Sequence, residues 1–289
     1  MSESVVEPVK VGRYRDAERE FWAVRAADAR SVRELRMPFD MWAAIGPPGW
    51  VLGPDRPLEE LRSLPPVRPG ARVFGVEQAN PDDDSYARPL LGWIKPATAL
   101  IGAGATMRFP AHTTALDCEP EVVVVIGRAV SRRATPTDAV LGWTLGGDTS
   151  VRDVGRPTGA ADLYTMKAQD EASPVGPTIV IGPADDVLRD SPRTIAVDDA
   201  PADPITAAVD DLAAVLLFLD ERCRLRPGDL VFTGTGRRPT PVAGRWLAEG
   251  GRVRISAAGA DDLEVVVGAK ERARRPSRWS SSSPEVLGV

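Results

Sequence analysis

Runs of β-branched residues separated by short polar breaks dominate the chain after residue 70. The strongest, Glu121-Val-Val-Val-Val-Ile-Gly127, holds four consecutive valines and an isoleucine, and predicts the firmest strand of the chain. Arg72-Val-Phe-Gly-Val76, Thr178-Ile-Val-Ile181, Leu230-Val-Phe-Thr233, Arg252-Val-Arg-Ile-Ser256 and Leu263-Glu-Val-Val-Val267 predict further strands. Nearer the N-terminus, Glu20 to Ala26 and Ser31 to Arg36 read as two strands of a hairpin around a turn at Ala27 to Arg30. Helical spacing is clear in one long segment. It starts at Ile205, just after Asp203-Pro204, and runs to Arg222, with Val209, Leu212, Ala213, Leu216 and Leu219 on one face. Arg226-Pro-Gly-Asp229 then predicts a turn into the next strand. Many strands with few helices imply a β-rich α+β domain and argue against a Rossmann alternation.

Breaker residues divide the pattern. Trp42 and Trp50 flank Gly46-Pro47-Pro48-Gly49, and Pro65, Pro66 and Pro69 make a stiff connection before Ala71. The expected organisation is a small N-terminal domain over residues 1–70, a larger domain over 71–270, and a disordered tail over 271–289. The tail carries Arg272-Ala-Arg-Arg-Pro-Ser-Arg278 and Ser280-Ser-Ser-Ser-Pro284, a composition unable to form a core.

Composition narrows the chemistry. Of 289 residues, 43% are hydrophobic and 27% charged, with a net charge of -5, so nothing here makes an electrostatic footprint for nucleic acid. The N-terminal residues lack the basic flank and apolar run of a signal peptide, and the apolar stretch Val209 to Leu219, interrupted by Asp210 and Asp211, is too short to span a bilayer. A cytoplasmic location with no membrane partner is therefore the default expectation. Cys118 and Cys223 suggest neither a disulfide framework nor a zinc site. The single histidine, His112, rules out a site of two or three imidazoles within one chain. A metal here is held mainly by oxygen, which selects Mg²⁺, Mn²⁺ or Ca²⁺.

Two segments offer that oxygen. Leu116-Asp117-Cys118-Glu119-Pro120-Glu121 runs into the valine strand. Alternation puts Glu119 and Glu121 on one face, with Cα atoms about 6–7 Å apart, and two such carboxylates repel unless a cation lies between them. Pro120, unable to donate to a ladder, suits a strand entrance, and Cys118 alternates away towards packing. In Trp143-Thr-Leu-Gly146-Gly147-Asp148, the two glycines suggest a sharp turn presenting a third carboxylate. Downstream, Thr233-Gly234-Thr235-Gly236 ends a strand in a bare backbone that can approach an anion closely; it lacks the Lys and spacing of a P-loop.

Taken in order, these pieces resemble the fumarylacetoacetate hydrolase superfamily, which includes the acylpyruvate hydrolases. The matching motifs are Lys95-Pro96, Asp117 to Glu121, Gly142-Trp-Thr through Asp148-Thr-Ser-Val-Arg152-Asp153, and Lys167-Ala-Gln-Asp170. Gly176-Pro177 and Pro227-Gly-Asp229 through Thr233-Gly-Thr235 complete the series, which covers about residues 62–268. The resemblance implies a mixed β-roll with a smaller N-terminal part, a homodimer, and Glu119, Glu121 and Asp148 as ligands of Mg²⁺ (or Mn²⁺ or Ca²⁺). It implies Lys167 beside a substrate carbonyl, and Arg152, Thr235, Gly234 and Lys95 around the substrate. The substrate class is a small 2-oxo acid or β-dicarbonyl, converted through a metal-stabilised enolate.

One departure bears on the reaction. The hydrolases of this family carry Gly-x-Asn-Tyr-x-x-His-x-x-Glu, whose His and Glu activate water. Here the run is Gly75-Val-Glu77-Gln-Ala-Asn-Pro81-Asp-Asp-Asp84, with Pro81 at the histidine position and Asp84 at the glutamate position; Gly155 also replaces a glutamine. Glu77 and Asp84 are the candidate carboxylate bases, each weak at an ordinary pKa, and His112 substitutes only if the fold carries it to the site. The expectation is therefore a lyase, decarboxylase or isomerase-type reaction that needs no activated water. C–C bond hydrolysis is the alternative, and a non-catalytic metal and small-acid binding protein a second one.

Overall fold

A computed structural model describes residues 8–78, 90–131, 133–153, 162–201, 211–235 and 246–272. The N-terminal part is a meander: β1 (Lys10–Arg15), β2 (Glu20–Arg25), β3 (Ser31–Leu35), β4 (Leu52–Pro57) and β5 (Arg62–Leu64), with the short helix α1 (Phe39–Ile45) between β3 and β4. The hairpin expected over residues 20–36 is present, with Ala23 opposite Glu34 and Arg25 opposite Val32. Then come β6 (Val73–Gln78), β7 (Leu90–Lys95), β8 (Leu100–Ile101), β9 (Thr106–Phe109), β10 (Leu116–Ile126) and β11 (Val140–Val151). The rest comprises α2 (Leu163–Lys167), β12 (Ser173–Pro174), β13 (Thr178–Ile181), α3 (Asp185–Asp190), β14 (Arg193–Val197), β15 (Ala200–Pro201), α4 (Leu212–Asp220), β16 (Leu230–Phe232), β17 (Arg252–Ala257) and β18 (Leu263–Lys270).

One sheet runs β4-β3-β2-β1-β13-β11-β10-β16-β6-β7, with β5 also pairing β1, and a second runs β15-β14-β17-β18-β9. Most neighbours are antiparallel, but β16 lies parallel to β6 and β18 to β9, giving the mixed, sheet-rich β-roll architecture. The N-terminal meander is hydrogen-bonded into the first sheet, since Lys10, Val11 and Gly12 stand opposite Val180, Ile179 and Thr178.

The valine run has a structural reason. All eleven residues of β10 are buried. Val122, Val124 and Ile126 face one core with Ile195, Ile255 and Val265, while Val123 and Val125 face another with Trp42, Val73 and Phe232. A strand covered on both sides needs apolar residues at every position, not at alternate ones. Pro120 consequently sits inside this long strand, opposite Gly147, and not at its entrance.

Two other expectations are corrected. Gly146 and Gly147 make no turn; they lie within the twelve-residue β11. The Cβ missing from Gly146 would fall 2.7 Å from Phe232 Cε1 and closer still to Val123 Cγ2. The one missing from Gly147 would fall 2.9 Å from Pro174 Cγ and closer still to Cys118 Sγ. These glycines permit close packing, not a change of direction. The expected continuous helix is interrupted at Asp211, which is extended and caps α4 by accepting from the Ala214 N–H at 2.9 Å; residues 202–210, where the expected start at Ile205 falls, lie outside the described residues. Leu212, Leu216 and Leu219 are on its buried face, joined by Val215.

The Pro227-Gly-Asp229 turn is fastened by its acid. Buried Asp229 accepts from the Arg226 N–H (2.8 Å) and from the Arg72 N–H (3.0 Å), joining the turn before β16 to the start of β6. Among the described residues no helix is long and apolar enough to cross a membrane.

Candidate metal centre

The strands β10 and β11 bring two alternating sets of polar residues together. Asp117, Glu119 and Glu121 project from one face of β10, and Asp148 and Ser150 from the same face of β11, with Arg152 just past its end reaching Asp117 and Glu119. In register, Glu119 stands opposite Asp148, Asp117 opposite Ser150, and Glu121 opposite Gly146. One carboxylate oxygen from each of Glu119, Glu121 and Asp148 lies within 4.8 Å of the others. Asp148 is 0% exposed, Glu121 2% and Glu119 9%, so all three acids are held away from bulk water.

Such burial requires compensating charge. Lys167, at the end of α2, places Nζ 2.7 Å from Glu119 Oε2 and also donates to Asp148 Oδ2. Lys95, at the end of β7, places Nζ 2.9 Å from Asp148 Oδ1 and donates to the Lys167 carbonyl at 2.5 Å. The Arg152 Nη2 lies 2.9 Å from both Asp117 Oδ2 and Glu119 Oε2. Ser150 Oγ donates to Glu119 Oε2 at 3.0 Å, and the Gly234 N–H donates to Glu121 Oε2 at 2.8 Å. The Trp93 ring packs against Lys167 Nζ at 5.0 Å.

Titration reflects these surroundings. Burial, then repulsion from Asp148 and Glu119, pushes the Glu121 carboxyl well up, so proton and cation compete for it. Burial would also raise Asp148, but Lys167 and Lys95 outweigh it and hold that carboxyl low. Lys167 is likewise opposed by burial, yet Asp148, Glu119 and Glu121 keep it firmly protonated.

The donor set fits a hard divalent cation. Glu119 and Glu121 accept hydrogen bonds at Oε2, and Asp148 Oδ1 is buried with the Lys95 ammonium beside it. Oxygen-only ligation with no imidazole or thiolate is the chemistry of Mg²⁺, Mn²⁺ or Ca²⁺.

The other residues singled out from sequence fall as follows. Gly234 and buried Thr235 follow β16, next to Glu121. Glu77 lies on β6; desolvation of its carboxyl, then repulsion from Glu119, pushes it up. Asp84, Pro81 and Gly155 lie outside the described residues. His112 is exposed on the segment leading into β10. Cys118 is buried in the core on the opposite face of β10, as expected.

Ser150 and Asp117 were not assigned roles from sequence, although a signal exists. The alternation Asp148-x-Ser150-x-Arg152 mirrors Asp117-x-Glu119-x-Glu121, and reading both as strands would have paired them.

Residues 70–268 match the family model described as the C-terminal domain of fumarylacetoacetate (FAA) hydrolase. Among curated proteins, the chain is 32% identical over 198 residues to Protein Rv2993c of Mycobacterium tuberculosis, covering 64% of this chain and 72% of that one. It is 30% identical over 192 residues to the 4-hydroxyphenylacetate degradation bifunctional isomerase/decarboxylase of Escherichia coli, covering 64% of this chain and 41% of the relative. The crystal structure of 2-hydroxyhepta-2,4-diene-1,7-dioate isomerase from Mycobacterium marinum superposes with a TM-score of 0.74 at 26% identity, over 91% of this chain and 99% of that one.

Proposed function

The chain belongs to the fumarylacetoacetate hydrolase family, and from that premise we propose that it is a divalent-metal-dependent enzyme acting on a small 2-oxo acid or β-dicarbonyl. The reaction is of the lyase, decarboxylase or isomerase type and proceeds through an enolate. The observation that carries this reading is the convergence of Glu119, Glu121 and Asp148 with Lys167 in one buried cluster. Relatives named as isomerase and isomerase/decarboxylase support the reaction class.

When bound, Mg²⁺ or Mn²⁺ supplies Lewis acidity towards charge developing on the substrate's carbonyl oxygen. The chain's own groups do the rest. Lys167 Nζ, protonated beside two carboxylates and the Trp93 ring, offers a proton and a positive charge beside that oxygen. Arg152, Gly234 and Thr235 orient the substrate's carboxylate. Lys95 holds the helix end that carries Lys167, through its 2.5 Å hydrogen bond to the Lys167 carbonyl. Glu77 and Asp84 are the carboxylates proposed to move protons. With Pro81 where the hydrolases have histidine, no imidazole activates water there, which favours a reaction without an attacking water.

The test is incubation with Mg²⁺ or Mn²⁺ and a panel of 2-oxo acids and acylpyruvates, following enolate absorbance and CO₂ release. Turnover that disappears in Glu121→Ala is the expected result. Tight binding without product identifies a non-catalytic receptor, and a hydrolytic product identifies a C–C bond hydrolase. Either overturns the proposed reaction. A homodimer in solution, the expected assembly, is checked by light scattering on the same samples.

A further inference from the structure

We propose that Lys167 is an internal counter-cation that competes with the divalent ion for Glu119 and Asp148, an inference resting on the cation-site reading above. Both oxygens of Asp148 already face ammonium groups, Oδ1 towards Lys95 at 2.9 Å and Oδ2 towards Lys167. Lys167 Nζ is also 2.7 Å from Glu119 Oε2. Whichever oxygen Asp148 turns to a cation, an ammonium stands on that oxygen or on its twin. Asp117, Glu119, Glu121 and Asp148 are therefore nearly balanced by Lys95, Lys167 and Arg152 before any metal arrives. A divalent ion enters a nearly neutral cluster, not a bare triad of acids, and meets like charge within the same buried space.

Lys95 and Lys167 differ in freedom. Lys95 is anchored twice, by Asp148 and by the Lys167 carbonyl, and is 1% exposed. Among the described residues, the neighbours of Lys167 Nζ are carboxylates and the Trp93 ring, so its ammonium can leave the acids on a flexible stem while its backbone stays in place. Occupancy by the ion frees that ammonium to face an anionic ligand. Cation and organic acid then favour each other's binding, and the linkage is reciprocal.

The experiment measures Mn²⁺ affinity of the full chain by calorimetry and by electron paramagnetic resonance, with no organic ligand present. Lys167→Met removes the charge and keeps the bulk; Lys167→Gln does the same should the first variant fail to fold, and Lys167→Arg keeps the charge. The charge-removing variant is expected to bind Mn²⁺ at least about tenfold more tightly than wild type, while Lys167→Arg stays near wild type. Wild-type binding with equal or weaker affinity in the charge-removing variant overturns this inference and leaves the cation-site reading standing. Equal tightening in Lys167→Arg overturns it as well, because shape and not charge would then be responsible. Absence of Mn²⁺ binding in wild type and variants alike overturns the cation-site reading and this inference with it.

Discussion

Gly146→Ala isolates what the glycine pair does. Gly146 lies in β11 directly opposite Glu121, outside the left-handed backbone region, so alanine meets no conformational penalty there. By unfolded-state entropy alone the substitution would stabilise the protein by about 0.4–1 kcal/mol. Sterics reverse the sign. The new methyl would sit 2.7 Å from Phe232 Cε1, where carbons ordinarily rest about 3.5–4.0 Å apart, an overlap on the order of 1 Å. Val123 lies closer still, and both neighbours are 0% exposed and paired with one another across β10 and β16. Neither can retreat without moving a strand, so the cost belongs near the top of the overpacking range, about 3 kcal/mol. With a urea m-value of about 3 kcal/mol/M or more for a chain of this size, the midpoint should fall by up to about 1 M. Urea unfolding followed by circular dichroism measures this. Adding Val123→Ala should make the double variant more stable than the sum of the single losses predicts, by about 0.5 kcal/mol or more. A single variant that unfolds at or above the wild-type midpoint would refute the close-packing account.

Three further substitutions probe the surrounding network. Ser150→Ala removes the hydroxyl that donates to Glu119 Oε2 and should weaken Mn²⁺ binding by roughly tenfold, measured by calorimetry. Asp229→Ala leaves the part-buried Arg72 and Arg226 N–H groups without their acceptor and should lower stability by about 2 kcal/mol, read from denaturant unfolding. Asp153 is opposed by burial, but bonds from Thr113 Oγ1 and from Thr114 outweigh it and bring the carboxyl down to about 2. Its folded value lies below the unfolded one, so its contribution is complete above about pH 4 and vanishes as the pH falls through about 2. The stability difference between wild type and Asp153→Asn should therefore shrink over that acid window; a constant difference contradicts the assignment.

The sequence revealed those parts of the site that depend on local pattern. The valines after Glu121 specify a strand, and alternation places Glu119 and Glu121 side by side. The position of Asp148 was half legible. Its motif marked it as a ligand, but Gly146-Gly147 suggested a turn, because the pressures that demand glycine come from Val123, Phe232, Cys118 and Pro174, all distant in sequence or on other strands. The helical spacing of Val209 to Leu219 runs through Asp211, whose extended backbone and side-chain bond to the Ala214 N–H set the start of α4, a local choice that apolar periodicity does not register. Lys95 could be read as part of a motif, yet its hold on the Lys167 carbonyl depends on the packing of α2 beside β7, which no short pattern encodes.

The ladder between β1 and β13 bears on how this protein can be dissected. Excising the stretch that matches the family model would strip Lys10, Val11 and Gly12 from the border of Thr178 to Val180, leaving a row of amide and carbonyl groups open to any passing strand. A fragment cut at residue 70 should stick to copies of itself and precipitate. Swapping the leading segment between relatives should succeed only when the donor supplies an equivalent strand to close that border.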